Sequence, residues 1–404
     1  LVPLGGGKDS LVVHALARAC PDIDHAWCYV GDGADEFQSS WRLQAIVRKS
    51  RAPVLRVAHE FDYEHLGKMQ FGRYKPCGHP WAALVAFDSV LVAYLNGFEF
   101  IAVGNETSAN YGNGVQVFDG IEVNHQYDKS FYFERRANLY IKQYLVEKLH
   151  YFSALQNLWE LRITEIFCQR CQPYFQIFAS CNEITKGSSR WCAKCEKCCF
   201  VFLLMSAFVE PPLAWSIFGT NLFEELSLEE TFKSLYVGIS SEVTNDCQEG
   251  PEQHEQCQEV QRRRSYTDGR GGKGGGGGGV KPFECIGTPD EVKDAVNLAA
   301  QRYKHYQRDT IRDQIDSVDS YSNNNEDRVT EEKVYLPPIL RNLLRLIGLD
   351  EETNEFSYNS SSSCKATLLK SSSLLLRQVE NCEHMIPEWF LHANLDCYFA
   401  ASSA

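Results

Sequence analysis

Three consecutive glycines, Gly5, Gly6 and Gly7, join the apolar start Leu1-Val2-Pro3-Leu4 to Lys8-Asp9-Ser10 and then to LVVHALARAC, where apolar residues recur at helical spacing. That order predicts a strand, a glycine turn and the start of a helix. Glycines let the backbone approach a ligand closely, and the first amides of a helix are unpaired donors at its positive end. The expected guest is an anion, phosphate above all. A Walker A loop requires Gly-Lys followed by Ser or Thr, and Gly7-Lys8-Asp9 breaks that pattern. The alternative for this stretch alone is an ordinary glycine turn of an α/β protein.

The segments that follow repeat the alternation. Residues 25–36 read as a second strand ending in a loop with Asp32, Asp35 and Glu36, 38–51 as a helix and 52–59 as a third strand, which together predict α/β architecture. Ligands gather at the carboxyl ends of strands in a doubly wound sheet, so these acids face ribose or magnesium, or else they are solvated turn residues. Next comes a loop with Arg73, Lys75, Cys77 and His79, and then an apolar helix over 81–95 with Pro80 at its start and Gly97 at its end. This helix is too short to span a bilayer and contains Asp88, so it is expected to be buried. A further strand in 98–114 feeds a loop made of Gly104, Asn105, Glu106, Ser108 and Asn110. Such polar density at a strand end marks a site or a hydrogen-bonded turn. Residues 120–145 then concentrate Glu122, Asn124, His125, Gln126, Lys129, Ser130, Glu134, Arg135 and Arg136. Basic and amide groups of this kind suit an anionic substrate, and His125 titrates near neutral pH, as an acid or base must.

Seven of the sixteen cysteines fall between Cys168 and Cys199. Cys181, Cys192, Cys195 and Cys198 form C-x10-C-x-x-C-x-x-C, a spacing that turns successive thiolates toward one ion and fits a structural zinc site. Four thiolates leave the site net negative, and Arg190, Lys194 and Lys197 stand where they can offset it. Cys168 and Cys171 make another C-x-x-C pair, so a different ligand selection or a redox pair remains open. Cys199, followed by FVFLLMSAF, is expected to be a buried thiol. Metal-type spacing in place of a disulfide framework predicts a reducing compartment.

The 404 residues and a formal charge of −13 allow a large core and argue against a general nucleic-acid or membrane-surface binder, which needs a basic face. Three regions are expected. Residues 1–239 form the nucleotide-binding part with the cysteine subsite, 240–280 a disordered glycine-rich insertion containing Arg262, Arg263 and Arg264, and 281–404 a helical region with low-complexity loops at 322–327 and 357–363. Thr288 is expected to cap a helix whose first turn holds Pro289, Asp290 and Glu291, and 281–288 to fold back on the first region. A helix over 339–348 and ordered packing at 384–390 are expected as well. The chain opens inside a strand and without methionine, as a fragment or processed form does.

The glycine stretch resembles the pyrophosphate loop, Ser-Gly-Gly-x-Asp-Ser, of ATP pyrophosphatases. Gly6, Gly7, Asp9 and Ser10 match, and Gly5 stands where Ser or Thr is usual. Taken with VGNETSANYG, EVNHQYDKSF, FASCN and RWCAKCEKCCFVFLLMSAF, it resembles the UDP-N-acetylmuramoyl-L-alanyl-L-glutamate epimerases, the MurL family, over 1–236 and again at 281–289. The resemblance implies a doubly wound parallel sheet of the PP-loop ATP pyrophosphatase type, also called adenine nucleotide alpha-hydrolase-like. It also implies ATP-dependent epimerisation of the terminal L-Glu of UDP-MurNAc-L-Ala-L-Glu through an acyl-adenylate, with AMP and pyrophosphate released. On that basis Gly5, Gly6, Gly7, Asp9 and Ser10 hold pyrophosphate, Lys8 offsets its charge with Mg2+, and Asp32, Gly104 and Asn105 complete the ATP site. Glu106, Asn110, Asn124, His125 and Arg135 are assigned to the nucleotide-sugar peptide substrate, and His125, Lys129 and Cys77 to chemistry. The zinc pattern also resembles that of the 7-cyano-7-deazaguanine synthases, and a zinc-stabilised binding module without catalysis is a further alternative. Glycine, serine and asparagine inserts are commoner in eukaryotic chains, so the expected location is the cytoplasm or, by the implied chemistry, the plastid stroma.

Overall fold

The computed structural model describes residues 1–33, 35–60, 80–112, 116–117, 121–181, 191–237, 286–319, 335–349 and 384–398. The first half alternates strand and helix: β1 Val2–Pro3, α1 Lys8–Ala19, β2 Trp27–Asp32, α2 Glu36–Ser39, α3 Trp41–Ser50, β3 Val54–His59, α4 Trp81–Asn96 and β4 Phe100–Val103. A short pair, β5 Gln116–Val117 and β6 Ile121–Glu122, precedes α5 Phe131–Tyr140, β7 His150–Ser153 and α6 Glu160–Arg170. The remainder is helical: α7 Glu196–Ser206, α8 Pro211–Phe218, α9 Glu229–Val237, α10 Pro289–Asp319, α11 Pro338–Leu346 and α12 Glu388–Ala393.

Strands β1, β2 and β3 pair in parallel in that order, and β4 pairs in parallel with β7. Leu1 joins the two sets. Its amine donates to the Phe100 carbonyl at 2.8 Å, and the Ala102 amide donates to the Leu1 carbonyl at 3.0 Å, the slanted pattern of a parallel ladder. The resulting spatial order is β3-β2-β1-β4-β7. Because side chains alternate across a strand, consecutive residues enter different cores. Trp27 and Tyr29 pack in one with Leu11, Ile46, Phe152 and Phe167; Cys28 and Val30 pack in the other with Val90, Ala93, Ala137 and Ile141. Helices α1, α3 and α6 thus cover one face of the parallel array, and α4 and α5 the other.

Local signals place the helix ends. Gly97 closes α4 in the left-handed conformation at φ 74°, and Thr288 and Glu291 form a reciprocal capping box at the start of α10: the Thr288 amide donates to Glu291 Oε2 at 2.9 Å and the Glu291 amide to Thr288 Oγ1 at 3.4 Å. The expectation of a buried helix over 81–95 needs correction. Helix α4 buries Ala86, Val90, Val92 and Ala93, while Leu91, Tyr94 and Leu95 are 56%, 66% and 69% exposed, because a single helix laid on a sheet can bury only one stripe.

The helices beyond α6 extend the first core. Val292, Val296, Ala299 and Tyr303 of α10 share it with α7, as do Ile339 and Leu343 of α11 and Phe390 of α12. Ile286 is buried and Gly287 lies against Phe200, so this end of 281–288 does fold back. Residues 240–280, 322–327 and 357–363, like Arg73, Lys75, Cys77 and His79, lie outside the described residues. No helix among the described residues is long and apolar enough to cross a membrane.

Candidate active site at the glycine loop

The glycine turn stands at the carboxyl end of β1. Gly6 adopts φ +73°, and its carbonyl accepts from Arg42 Nη1 at 2.8 Å and from the Ala179 amide at 3.1 Å. Gly7 begins α1 in extended conformation with no side-chain cap, which leaves the first amides of the helix available to a ligand. Neighbours approach closely. A Cβ at Gly6 would fall 2.4 Å from Arg42 Nη1, and one at Gly7 would fall 2.6 Å from Ser180 Oγ. Gly5 differs, since a Cβ there would meet nothing within 4 Å. The Ser10 hydroxyl donates to the Gly7 carbonyl at 3.1 Å and closes the turn. A Cβ at Gly104 would lie 3.3 Å from the Asp9 backbone, so the end of β4 touches the start of α1 and brings the 104–110 loop beside the glycines.

Lys8 does not project into open space. It is 1% exposed and its ammonium pairs with both Asp9 and Glu160, the latter also 1% exposed. Burial alone would lower the Lys8 pKa, but the Asp9 and Glu160 carboxylates outweigh it and hold the ammonium charged. Burial likewise opposes the Glu160 charge; Lys8 first, then Lys197 and Lys129, hold that carboxylate below its ordinary range. Asp9 is the member of this group at the surface, 28% exposed. Sequence reading had no access to Glu160: an acid in the first turn of a helix is commonplace, and 152 residues separate it from Lys8.

From Gly104 the chain turns through a buried polar loop. The Asn105 amide donates to Ser153 Oγ at 2.9 Å and the Ser153 hydroxyl donates back to the Asn105 carbonyl at 2.6 Å, tying the ends of β4 and β7 together. Glu106 is buried and accepts from Gln126 Nε2 at 3.4 Å. Asn124 donates to the Ala109 carbonyl at 2.8 Å and accepts from the Gln126 amide at 2.8 Å, while Asn110 Oδ1 accepts from the Phe131 amide at 2.7 Å. These bonds fold 104–110 and 124–131 into one body. Its outer side holds a cleft of about 470 Å³ lined by Asn110, Asn124, Tyr127, Ser130, Arg135 and Gln156, among others. Three residues expected at the substrate, Asn110, Asn124 and Arg135, therefore share a wall. His125 is half-buried next to Asn124, and Lys129 is half-buried with its charge acting on Glu160. Glu134 lies elsewhere: it is fully buried, and desolvation pushes its carboxyl up to about 8. The Asp32 backbone ends β2 opposite His59, at the carboxyl edge of the sheet. Tyr127 and Gln156 had no pattern to mark them, because only the fold sets them on the cleft.

The four predicted cysteines converge. The sulfurs of Cys181, Cys192, Cys195 and Cys198 all lie within 4.8 Å of one another, with 181 to 195 at 3.9 Å, 192 to 198 at 3.6 Å and 195 to 198 at 3.5 Å. A zinc–sulfur bond of about 2.3 Å gives a tetrahedron with edges of about 3.8 Å, so the thiol set fits that ion. Ala193 takes φ +59° to turn the Cys192 to Cys195 knuckle. The alternative ligand pair is not part of this cluster. Cys168 and Cys171 are buried in the core, the Cys171 thiol donates to the Leu11 carbonyl at 3.5 Å, and burial pushes it up to about 12. Cys199 is fully buried, as expected.

Comparison with known proteins gives a consistent answer. The profile of the MurL N-terminal domain matches residues 1–154, and that of the MurL C-terminal domain matches residues 177–269. The chain is 34% identical over 232 residues, 56% of its length, to a UDP-N-acetyl-alpha-D-muramoyl-L-alanyl-L-glutamate epimerase of Xanthomonas oryzae pv. oryzae, and covers 48% of that protein. Proteins of the same description from Micromonospora sp. and Salinispora tropica are 28% and 26% identical over 79% of the chain, which covers 60% and 59% of them. The chain thus spans roughly half to three fifths of the length of these curated relatives.

Proposed function

The chain belongs to the MurL family, and from that premise we propose that it inverts the terminal L-Glu of UDP-MurNAc-L-Ala-L-Glu to D-Glu at the expense of ATP, on a PP-loop type of fold. The observation that carries this reading is the contact of Gly104 with Asp9, which sets an uncapped helix start beside the loop that leads to Asn110 and the arginine-bearing cleft. Nucleotide phosphates and an acidic peptide then lie side by side.

The chemistry explains the need for ATP. Removing a proton next to a carboxylate piles charge on an existing anion. Attack of a glutamate carboxylate oxygen on the α-phosphorus expels pyrophosphate and gives an acyl-adenylate, whose carbonyl accepts the electrons of the α-carbanion. Proton return on the opposite face, followed by hydrolysis, yields the D-glutamyl product and AMP. The amides of the Gly5 to Ser10 turn hold the leaving pyrophosphate, and magnesium supplies countercharge to the phosphates when bound. Lys8 keeps Asp9 and Glu160 in place beneath the turn, and it would have to exchange one of these partners to reach pyrophosphate directly. Asn105 and the Asp32 end of β2 border the nucleotide. Asn110, Asn124 and Arg135 bind substrate, with Glu106 positioning Asn124 through Gln126. His125 is the candidate for proton transfer among the described residues; Lys129 and Cys77 complete the assigned set. Zinc in the four-thiolate site is structural, since all four tetrahedral positions are protein ligands. On this reading the chain works in the cytoplasm or the plastid stroma.

The test is incubation with ATP, Mg2+ and the L-Glu substrate in deuterated water. Deuterium at the glutamate α-carbon together with AMP release is expected. Absence of both would overturn the assignment.

A further inference from the structure

Helix α4 is apolar on both of its faces. Ala86, Val90 and Ala93 are buried against the sheet, while Phe87, Leu91, Tyr94 and Leu95, at i, i+4, i+7 and i+8, form a second stripe that faces water. Another such stripe runs beside it: Leu139 and Tyr140 at the end of α5, then Tyr144 and Leu145 on the π-helical turn Ile141–Leu145. The Phe87 and Tyr140 rings meet edge to face with centroids 6.1 Å apart, and the Tyr140 and Tyr144 rings lie 5.1 Å apart, so the two stripes make one surface. Charge is scarce on it. Asp88 is the only charged residue of α4, and it is paired with His59. The eight side chains are between 39% and 69% exposed. At about 200 Å² for a large apolar residue, they leave roughly 900 Å² facing water, more than the ~300–600 Å² of a typical monomer's largest apolar patch.

We propose that this α4–α5 face is a self-association surface, on which a second copy of the chain docks about a two-fold axis. The area matches the ~800 Å² that each partner contributes to an interface of standard size. Charge favours a copy meeting a copy here. A chain with a formal charge of −13 repels its own kind, and a face almost without charge is where two copies approach at least cost. Lys142, Glu147 and Lys148, exposed and next to Tyr144 and Leu145 in the chain, supply both signs. In a two-fold contact residue i meets j and j meets i, so the lysines of one copy can pair with Glu147 of the other. An anionic lipid surface fits less well, because it attracts basic segments and repels a chain of this net charge. Tyr132 and Arg135 of the same helix α5 line the cleft, so the contact would brace the cleft from the far end of that helix.

Sedimentation velocity of the full, metal-loaded chain over a concentration series reads the association directly. A dimer at micromolar concentration is expected, with hydroxyl-radical labelling of Tyr94, Leu95, Tyr140 and Tyr144 falling as the dimer fills. Leu91→Glu and Tyr140→Glu, one on each stripe, should each raise the dissociation constant about a hundredfold or more, because a substitution enters a two-fold contact twice. Both positions are exposed, so circular dichroism and bound metal should stay unchanged; if one variant misfolds, the other and the labelling of the unaltered chain decide. A chain that stays monomeric at every concentration would overturn the inference; constant low labelling would then mark a face covered by the chain itself, and constant high labelling a bare one. A dimer indifferent to both variants lies elsewhere on the molecule and overturns it too. So would a monomer that floats with phosphatidylcholine vesicles and loses that binding in Leu91→Glu.

Discussion

Glu134 shows how one side chain records its surroundings. It is fully buried on α5, and desolvation pushes its carboxyl up to about 8, against a partial opposing effect of the Ser153 backbone. The folded chain therefore keeps a proton that the unfolded chain releases above the ordinary carboxylate range. Its contribution to stability is complete below pH 4.5 and is lost as pH rises toward 8. Between these limits unfolding free energy should fall by up to about 1.4 kcal/mol per pH unit from this group. Urea unfolding of Glu134→Gln across that range should show a shallower pH dependence than the unaltered chain; an identical slope would remove Glu134 as its source. Lys8 and Glu160 show the opposite case, a buried pair in which each charge is tolerated because the other is present.

At the scale of elements, the strand, turn and helix unit works through close approach. Gly6 combines φ +73° with a neighbour 2.4 Å from any added Cβ, so Gly6→Ala is expected to cost about 1–2 kcal/mol from conformation alone, and more from displacing Arg42. Gly5 faces open space, so Gly5→Ser should leave stability within about 0.5 kcal/mol and, by restoring the hydroxyl usual in pyrophosphate loops, tighten MgATP binding. Thermal unfolding and nucleotide titration of the two variants check both statements. Equal destabilisation would show that crowding does not distinguish the positions. The cysteine knuckle is a second such unit, its local turn written in C-x-x-C and its left-handed Ala193.

At the scale of the whole molecule, residues before and after 240–280 build one core. Val292, Val296 and Ala299 cover α7, and the Trp215 indole donates to the Tyr303 hydroxyl at 2.8 Å. A chain ended after Val237 should expose that surface and lose cooperative unfolding; a sharp transition at unchanged temperature would show that the first region stands alone. What the sequence by itself determined is what short spacing can encode: the glycine turn, the four convergent thiols, the Thr288 cap of α10, and the polar segments around Asn105 and Asn124. Each depends on residues a few positions apart, or on identical chemistry repeated, and so survives without coordinates. Glu160 beneath Lys8, Gln156 on the cleft and the exposed face of α4 were decided by the tertiary structure alone. The reason is physical: burial and charge pairing join residues through space, and a pairing across 152 positions leaves no trace in the pattern of either end.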